Sequence, residues 1–201
     1  MTSVSQILGR ERRNDVVVRP AQGGDADGIW ENIERCWDEG RESWESEHMP
    51  IGVSEMEANA RALAANLARS VALPGWQRYW VLDHHGSIVG HADLTGGRFR
   101  SELHVARFGI AIRRAHWHRG HGHRLMEEAI TWAWSRPEIH RIELTVFAQN
   151  RRAQALYRRL GFVEEGRARR RFRLQDHWVD DISMALLRPE SAEAPTQPKN
   201  P

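Results

Sequence analysis

The chain has 201 residues, 40% of them hydrophobic and 28% charged, the make-up of a globular domain with a real core rather than of a disordered or fibrous chain. Net charge is +2 although the pI is about 9.2, and Lys199 is the sole lysine among the basic residues. No apolar run is long enough to span a bilayer or to form a signal-peptide core, and a single cysteine excludes an internal disulfide, so a cytoplasmic location is expected.

Residues 1–14 are polar and expected to be flexible, and 15–188 are expected to form one domain. Val16, Val17 and Val18 make a β-rich run that Arg19-Pro20 ends. Asp25 is placed to cap a helix over 26–39, with Ile29, Trp30, Ile33 and Trp37 on one face and Gly40 as its stop. Cys36 lies in that pattern and reads as a small buried hydrophobe. Residues 41–53 read as a loop, in which Trp44 and Met49 either fold back on the core or, as with Trp44, line an acceptor pocket. Ser54 and Glu57 form a capping box for a second amphipathic helix, to residue 70.

Three strand-like runs follow Pro74-Gly75, at 78–83, 87–94 and 102–112, with short turns that favour antiparallel pairing. A basic, glycine-containing loop leads into a helix ending near 134, before Pro137. Residues 141–147 are a further strand. Asn150 caps a helix that Gly161 ends, and 162–174 with 177–187 form a hairpin. Residues 189–201 are rich in proline and charge and are expected to be disordered. The order β, α, α, β, β, β, α, β, α, β, β predicts an α+β fold. Its sheet would be mixed, mostly antiparallel and about seven-stranded, flanked by four helices in an α/β/α sandwich.

The stretch 109–134, GIAIRRAHWHRGHGHRLMEEAITWAW, carries the chemistry. A strand end, a Gly-x-Gly turn and a helix N-terminus together make an anion site, because the first helical N–H groups lack internal partners and the helix dipole adds partial positive charge. Gly120 and Gly122 allow close backbone approach, and Arg113, Arg114, Arg119 and Arg124 add fixed charge. The third glycine of a dinucleotide fingerprint and the Gly-Lys-Ser/Thr of a P-loop are both missing. A basic patch for a phosphorylated cofactor explains residues 113–124 better than nucleic-acid binding does, since elsewhere Arg is interleaved with Asp and Glu, apart from 167–173.

GIAI, a seven-residue loop and GHG-HRLM resemble the cofactor motif of the GNAT superfamily of N-acetyltransferases. N150-RRAQALYRRLGF resembles the same family's N-x-x-A-x-x-L-Y-x-x-x-G-F. The two occur in the family's order, and the resemblance extends over roughly residues 15 to 188. Trp117 departs from it, standing where the family usually has Gln or Arg, and Arg119 is positioned to supply the missing charge.

The resemblance implies acetyl transfer from acetyl-CoA to a primary amine, a small molecule or amino acid ahead of a protein N-terminus, by direct transfer in a ternary complex. Loop residues Trp117, His118, Arg119, Gly120, His121, Gly122 and His123 are then expected to bind the pyrophosphate, and Ile110, Ala111 and Ile112 the pantetheine arm. Asn150 and Ala153 are expected to contact the cofactor. Tyr157 would be the general acid that protonates the departing thiolate. Relatives carry a glutamate base where this chain has Arg107. Glu102, His104 and Asp93 remain as proton acceptors through water, with Glu102 the one named. Arg107 would instead bind an acceptor carboxylate. His116, His118, His121 and His123 also invite a metal, but no cysteine or carboxylate accompanies them, and cofactor contact without metal is the favoured reading. A non-catalytic acyl-CoA-binding module is the alternative. No membrane or nucleic-acid partner is expected, and a homodimer is one assembly open to the chain.

Overall fold

The computed structural model describes residues 16–41 and 60–189. In chain order the elements are β1 (Val16–Pro20), α1 (Ala26–Arg41), α2 (Ala60–Ala68), β2 (Gln77–His84), β3 (Ser87–Gly96), β4 (Val105–Ile112), α3 (His121–Trp134), β5 (Arg141–Phe147), α4 (Arg151–Arg159), β6 (Val163–Leu174) and β7 (His177–Leu187). One sheet holds all seven strands in the order β1-β2-β3-β4-β5-β7-β6. The expected sandwich is the one found. Residues 1–14, the 42–53 loop with Trp44 and Met49, the Ser54–Glu57 capping box and most of the C-terminal tail lie outside the described residues.

Each face of the sheet owns a core. Ala92, Leu94, Ala106, Ile142, Leu144 and Val146 alternate inward against Leu125, Met126, Ala129 and Ala133, the helical stripe of α3. On the other face Tyr79, Val81 and Ile88 meet Ile29 of α1 and Leu63 of α2. Ile29, Leu125 and Met126 are wholly buried, and each contributes about 1.5–3 kcal/mol in apolar transfer.

Three local expectations change, the first being that α1 runs through Gly40 to Arg41 and does not stop at the glycine. Asp25 closes a short 3-10 turn, accepting the Gln22 N–H at 2.7 Å and binding the Arg19 guanidinium at 2.7 Å, and α1 starts after it. Residues 100–102 form another 3-10 turn, so β4 begins at Val105 and Glu102 sits off the strand.

Six of the strand pairings place neighbours side by side, and five of those run antiparallel. The parallel pair, β4 with β5, shapes the site. Its ladder covers Val105–Arg107 against Arg141–Glu143 and goes no further. Beyond it the remaining halves of the two strands have backbone edges facing a gap.

Candidate active site

A cavity of about 780 Å³ opens at that gap. Its floor is the far half of β4 (Phe108 to Ile112) and of β5 (Thr145 to Phe147). The α3 loop and α4 close one end, and α1 with β2 and β3 closes the other.

The first end is built on Gly120, the residue before α3, which sits at φ 79° where a side chain would strain the backbone. This turn starts the helix so that its free N–H groups face the loop. His121 follows, only 7% exposed, and neither of its ring nitrogens has a partner among the described residues. Burial first, then Arg124 and its basic neighbours, hold its pKa below the ordinary histidine value. A neutral imidazole N–H facing a cavity, with cationic residues around it, suits an anionic ligand. Gly122 serves packing as well, since a Cβ there would stand 3.3 Å from Leu156 Cδ2 of α4.

Trp117 explains its own departure from the family pattern. Its indole N–H donates to the Ile112 carbonyl at 2.6 Å, and the Arg152 guanidinium lies over its ring at 4.2 Å. Arg152 also reaches His118 Nε2 at 3.3 Å. Arg152 lines the cavity, whereas Arg119 is exposed and does not. The charge expected from the loop thus comes from α4. His118 and His123 line the cavity, and His123 also pairs with Glu127 at 2.9 Å. Among the described residues no group of three His, Cys, Asp or Glu could hold a metal ion.

Asn150 caps α4 by accepting the Ala153 N–H at 2.9 Å. Seven residues on, about two helical turns, Tyr157 is 6% exposed and lines the cavity beside Ala153 and Leu156. The structure therefore brings Ile110, Ala111, Ile112, Trp117, His118, Gly120, His121, Gly122, His123, Asn150, Ala153 and Tyr157 to one cavity.

Glu102 and Arg107 are not among the residues that line it. The Glu102 carboxylate accepts the Arg98 N–H at 3.0 Å and faces Arg107 at 3.6 Å. Arg107 donates to Glu143 at 2.9 Å across the β4–β5 ladder, and Arg141 extends that network to Glu165. These charges satisfy one another at the closed end of the strand pair. Trp44 lies outside the described residues.

The second end of the cavity was less visible in the sequence. Ile33, Cys36 and Trp37 of α1 face Tyr79, His91 and Asp93. Burial pushes the Cys36 thiol up to about 12, which keeps it an inert apolar wall. Asn32, wholly buried in mid-helix, accepts from Arg113 Nε at 3.1 Å and donates to His91 Nδ1 at 3.0 Å and to the Ala111 carbonyl. The arginine contact orients the amide, and the amide puts the His91 proton on Nε2. One side chain thus ties α1 to β3 and β4. Asp93 lies between cross-strand neighbours Tyr79 and Gly109. A Cβ on Gly109 would come within 2.4 Å of Asp93 Oδ1, so the glycine makes room for the carboxylate. The alternation His91, Asp93, Thr95 on a strand whose other face is apolar was the available signal.

No helix among the described residues is long and apolar enough to cross a membrane. The family model for the Acetyltransferase (GNAT) family matches residues 30–162. The chain is 33% identical over 103 residues to an L-amino acid N-acetyltransferase of Escherichia coli, covering 51% of this chain and 64% of that protein. It is 29% identical over 112 residues to a spermidine N(1)-acetyltransferase of Vibrio cholerae, covering 55% and 63%. It thus spans a little under two thirds of the length of these curated relatives. Among solved structures, a GNAT-family acetyltransferase from Streptococcus pneumoniae superposes with a TM-score of 0.72 at 26% identity, covering 86% of this chain and 98% of that one. A Vibrio cholerae spermidine N-acetyltransferase in complex with CoA and spermine shares the fold at a TM-score of 0.62 and 23% identity, covering 86% and 95%. With the family model matched across residues 30–162, well over half its length, the chain belongs to the GNAT family.

Proposed function

We propose that the chain transfers the acetyl group of acetyl-CoA to a primary amine, with both substrates bound together. The observation that carries this reading is the interrupted β4–β5 ladder, whose open half floors a cavity with an anion-suited end and a carboxylate-bearing end. The residues fit the cofactor. The α3 N-terminus, Arg152 and the unpartnered His121 nitrogens offer donors and positive charge for phosphates. The half of β4 beyond its ladder with β5, from Phe108, offers backbone groups to an extended chain, as a strand edge does to a peptide. A backbone N–H of this edge is suited to polarising a carbonyl oxygen.

Tyr157 takes the role of general acid, protonating sulfur as the C–S bond breaks. The acceptor is a small amine or an amino acid. The second end of the cavity offers the apolar surfaces of Ile33, Cys36 and Trp37 to the body of such a molecule. The curated relatives named for L-amino acids and for spermidine support an amine acceptor of low molecular weight.

The test is an acceptor panel of L-methionine, L-phenylalanine, phenethylamine and spermidine with acetyl-CoA, read as free thiol and as acetylated product. Turnover with at least one member is expected. CoA binding without turnover on any member would overturn the transferase reading and leave an acyl-CoA-binding module.

A further inference from the structure

We propose that Asp93 is the group that takes the proton from the acceptor amine, an inference that rests on the acetyl-transfer reading. The family position for a glutamate base is filled here by Arg107, which is bound to Glu143 and does not line the cavity. Glu102 is likewise held away, by the Arg98 N–H and by Arg107. Asp93 lines the cavity and lies beside Gly109 in the β3–β4 register, on the half of β4 beyond its ladder with β5. The close fit of its carboxyl over Gly109 Cα fixes it on the β4 side of β3.

The surroundings suit a base. On β2 the facing group is Tyr79, a phenol whose own ionisation is pushed well up by burial and then by Asp93. On β3 the flanking groups are His91, bonded to Asn32, and Thr95, whose hydroxyl donates to Asp93 Oδ2 at 3.3 Å. On β4 they are Gly109 and the Glu143-bound Arg107, which pairs with Thr95. The α1 residues at the cavity, Ile33, Cys36 and Trp37, carry no charge. Among the described residues no facing element assigns a cation to Asp93, and an ammonium arriving in the cavity is the natural partner. Burial, opposed by the Thr95 bond, brings the Asp93 carboxyl up to about 7, near the value at which a base works best at neutral pH.

The proton balance closes. The ammonium gives one proton to the Asp93 carboxylate, and the nitrogen lone pair forms the C–N bond. The C–S bond breaks, its electron pair leaves with sulfur, and sulfur takes a proton from the Tyr157 hydroxyl. Of the two protons then left on nitrogen, one returns to Tyr157 through solvent and one stays on the amide, and Asp93 releases its proton to bulk water.

The test measures pH–rate profiles for wild type, Asp93→Asn and Thr95→Val with the fastest acceptor of the four-member panel. Asp93→Asn should lower kcat/KM by roughly 10²- to 10⁴-fold and erase the limb near pH 7, leaving only the limb set by the amine itself. Thr95→Val removes the hydrogen bond that favours the ionised carboxyl, so the same limb should move to higher pH. A purely structural Asp93 would move neither limb. Undiminished turnover in Asp93→Asn with an unshifted profile sinks the base role alone. Failure of wild type on all four amines sinks the transferase reading and takes this inference with it.

Discussion

The Arg152 guanidinium stands 4.2 Å from the centre of the Trp117 ring, and Trp117 is itself anchored on the Ile112 carbonyl. A residue of α4 is thereby delivered to the loop before α3. Arg152→Glu should raise the dissociation constant for CoA by roughly 10- to 100-fold, the value of a lost charge-assisted hydrogen bond. Trp117→Ala should weaken binding less, by removing the platform and keeping the charge. Isothermal titration of both variants and of the double mutant checks this. Additive effects would mean that the stacked pair does not act as a unit.

Gly109 and Asp93 make a second testable pair. Gly109→Ala places a methyl within 2.4 Å of Asp93 Oδ1 and should cost about 1–3 kcal/mol by overpacking, while lowering turnover through displacement of the carboxyl. Adding Asp93→Ala should restore thermal stability and not activity. A double mutant as unstable as Gly109→Ala would place the clash elsewhere.

Asp93 also predicts an inverse pH dependence of stability. Its folded-state pKa, about 7, lies above the unfolded value of about 3.9, so between these the folded state holds more protons. Stability from this group is therefore full below about pH 4 and falls as pH rises to about 7. At pH 8 Asp93→Asn should be more stable than wild type by up to about 4 kcal/mol, and at pH 4 the difference should vanish. Denaturant titrations at the two pH values measure it, and equal differences at both would refute the assignment.

Much of this architecture was legible because it depends on local chemistry. The helical stripe of α3, the Asn150 cap and the glycine turn before α3 each write their geometry in residues a few positions apart. Asp25 misled because its carboxylate has two takers at one site. Arg19 and the Gln22 N–H hold it one turn early, and neither is visible from helix-capping rules alone. Glu102 and Arg107 lie outside the cavity for a related reason. Their partners, Arg98, Glu143 and each other, come together only through the β4–β5 pairing, a contact between strands separated by α3. Tyr79, His91 and Arg152 reach the site from three elements, Asn32 of a fourth holds His91, and no sequence spacing brings them together.

Asn32 is the clearest case of a polar residue whose value is set by its partners. Its amide makes one bond to Arg113, one to His91 and one to the Ala111 carbonyl, and it is wholly buried. Asn32→Leu leaves His91 Nδ1 and the Arg113 Nε–H without this partner, which should cost about 1–3 kcal/mol. Asn32→Asp keeps the Arg113 contact and reverses the demand on His91, so it should cost less than leucine. Melting temperatures of the two variants, with CoA binding as a check on the distant end of the cavity, decide the matter. Equal, negligible losses would mean that water replaces the amide.

Tyr157 carries the most direct chemical prediction. It is 6% exposed, packs against Phe162 with ring centroids 6.0 Å apart, and lines the cavity from α4. Tyr157→Phe keeps the ring and its packing, so folding and CoA affinity should stay near wild type. Turnover should fall by roughly 10²- to 10⁴-fold, the range for loss of a general acid. Because the proton moves only as sulfur leaves, the loss belongs in kcat and not in the KM for acetyl-CoA. Product release can mask a slower chemical step, so single-turnover rates on the rapid-quench timescale are the cleaner measure. The Asp93→Asn loss should be greatest below the pKa of the amine, where the nitrogen arrives protonated. The Tyr157→Phe loss should shrink when a thiol of lower pKa replaces CoA, since such a sulfur leaves without a proton. Wild-type single-turnover rates in Tyr157→Phe would make Tyr157 a packing residue and return the acid to solvent.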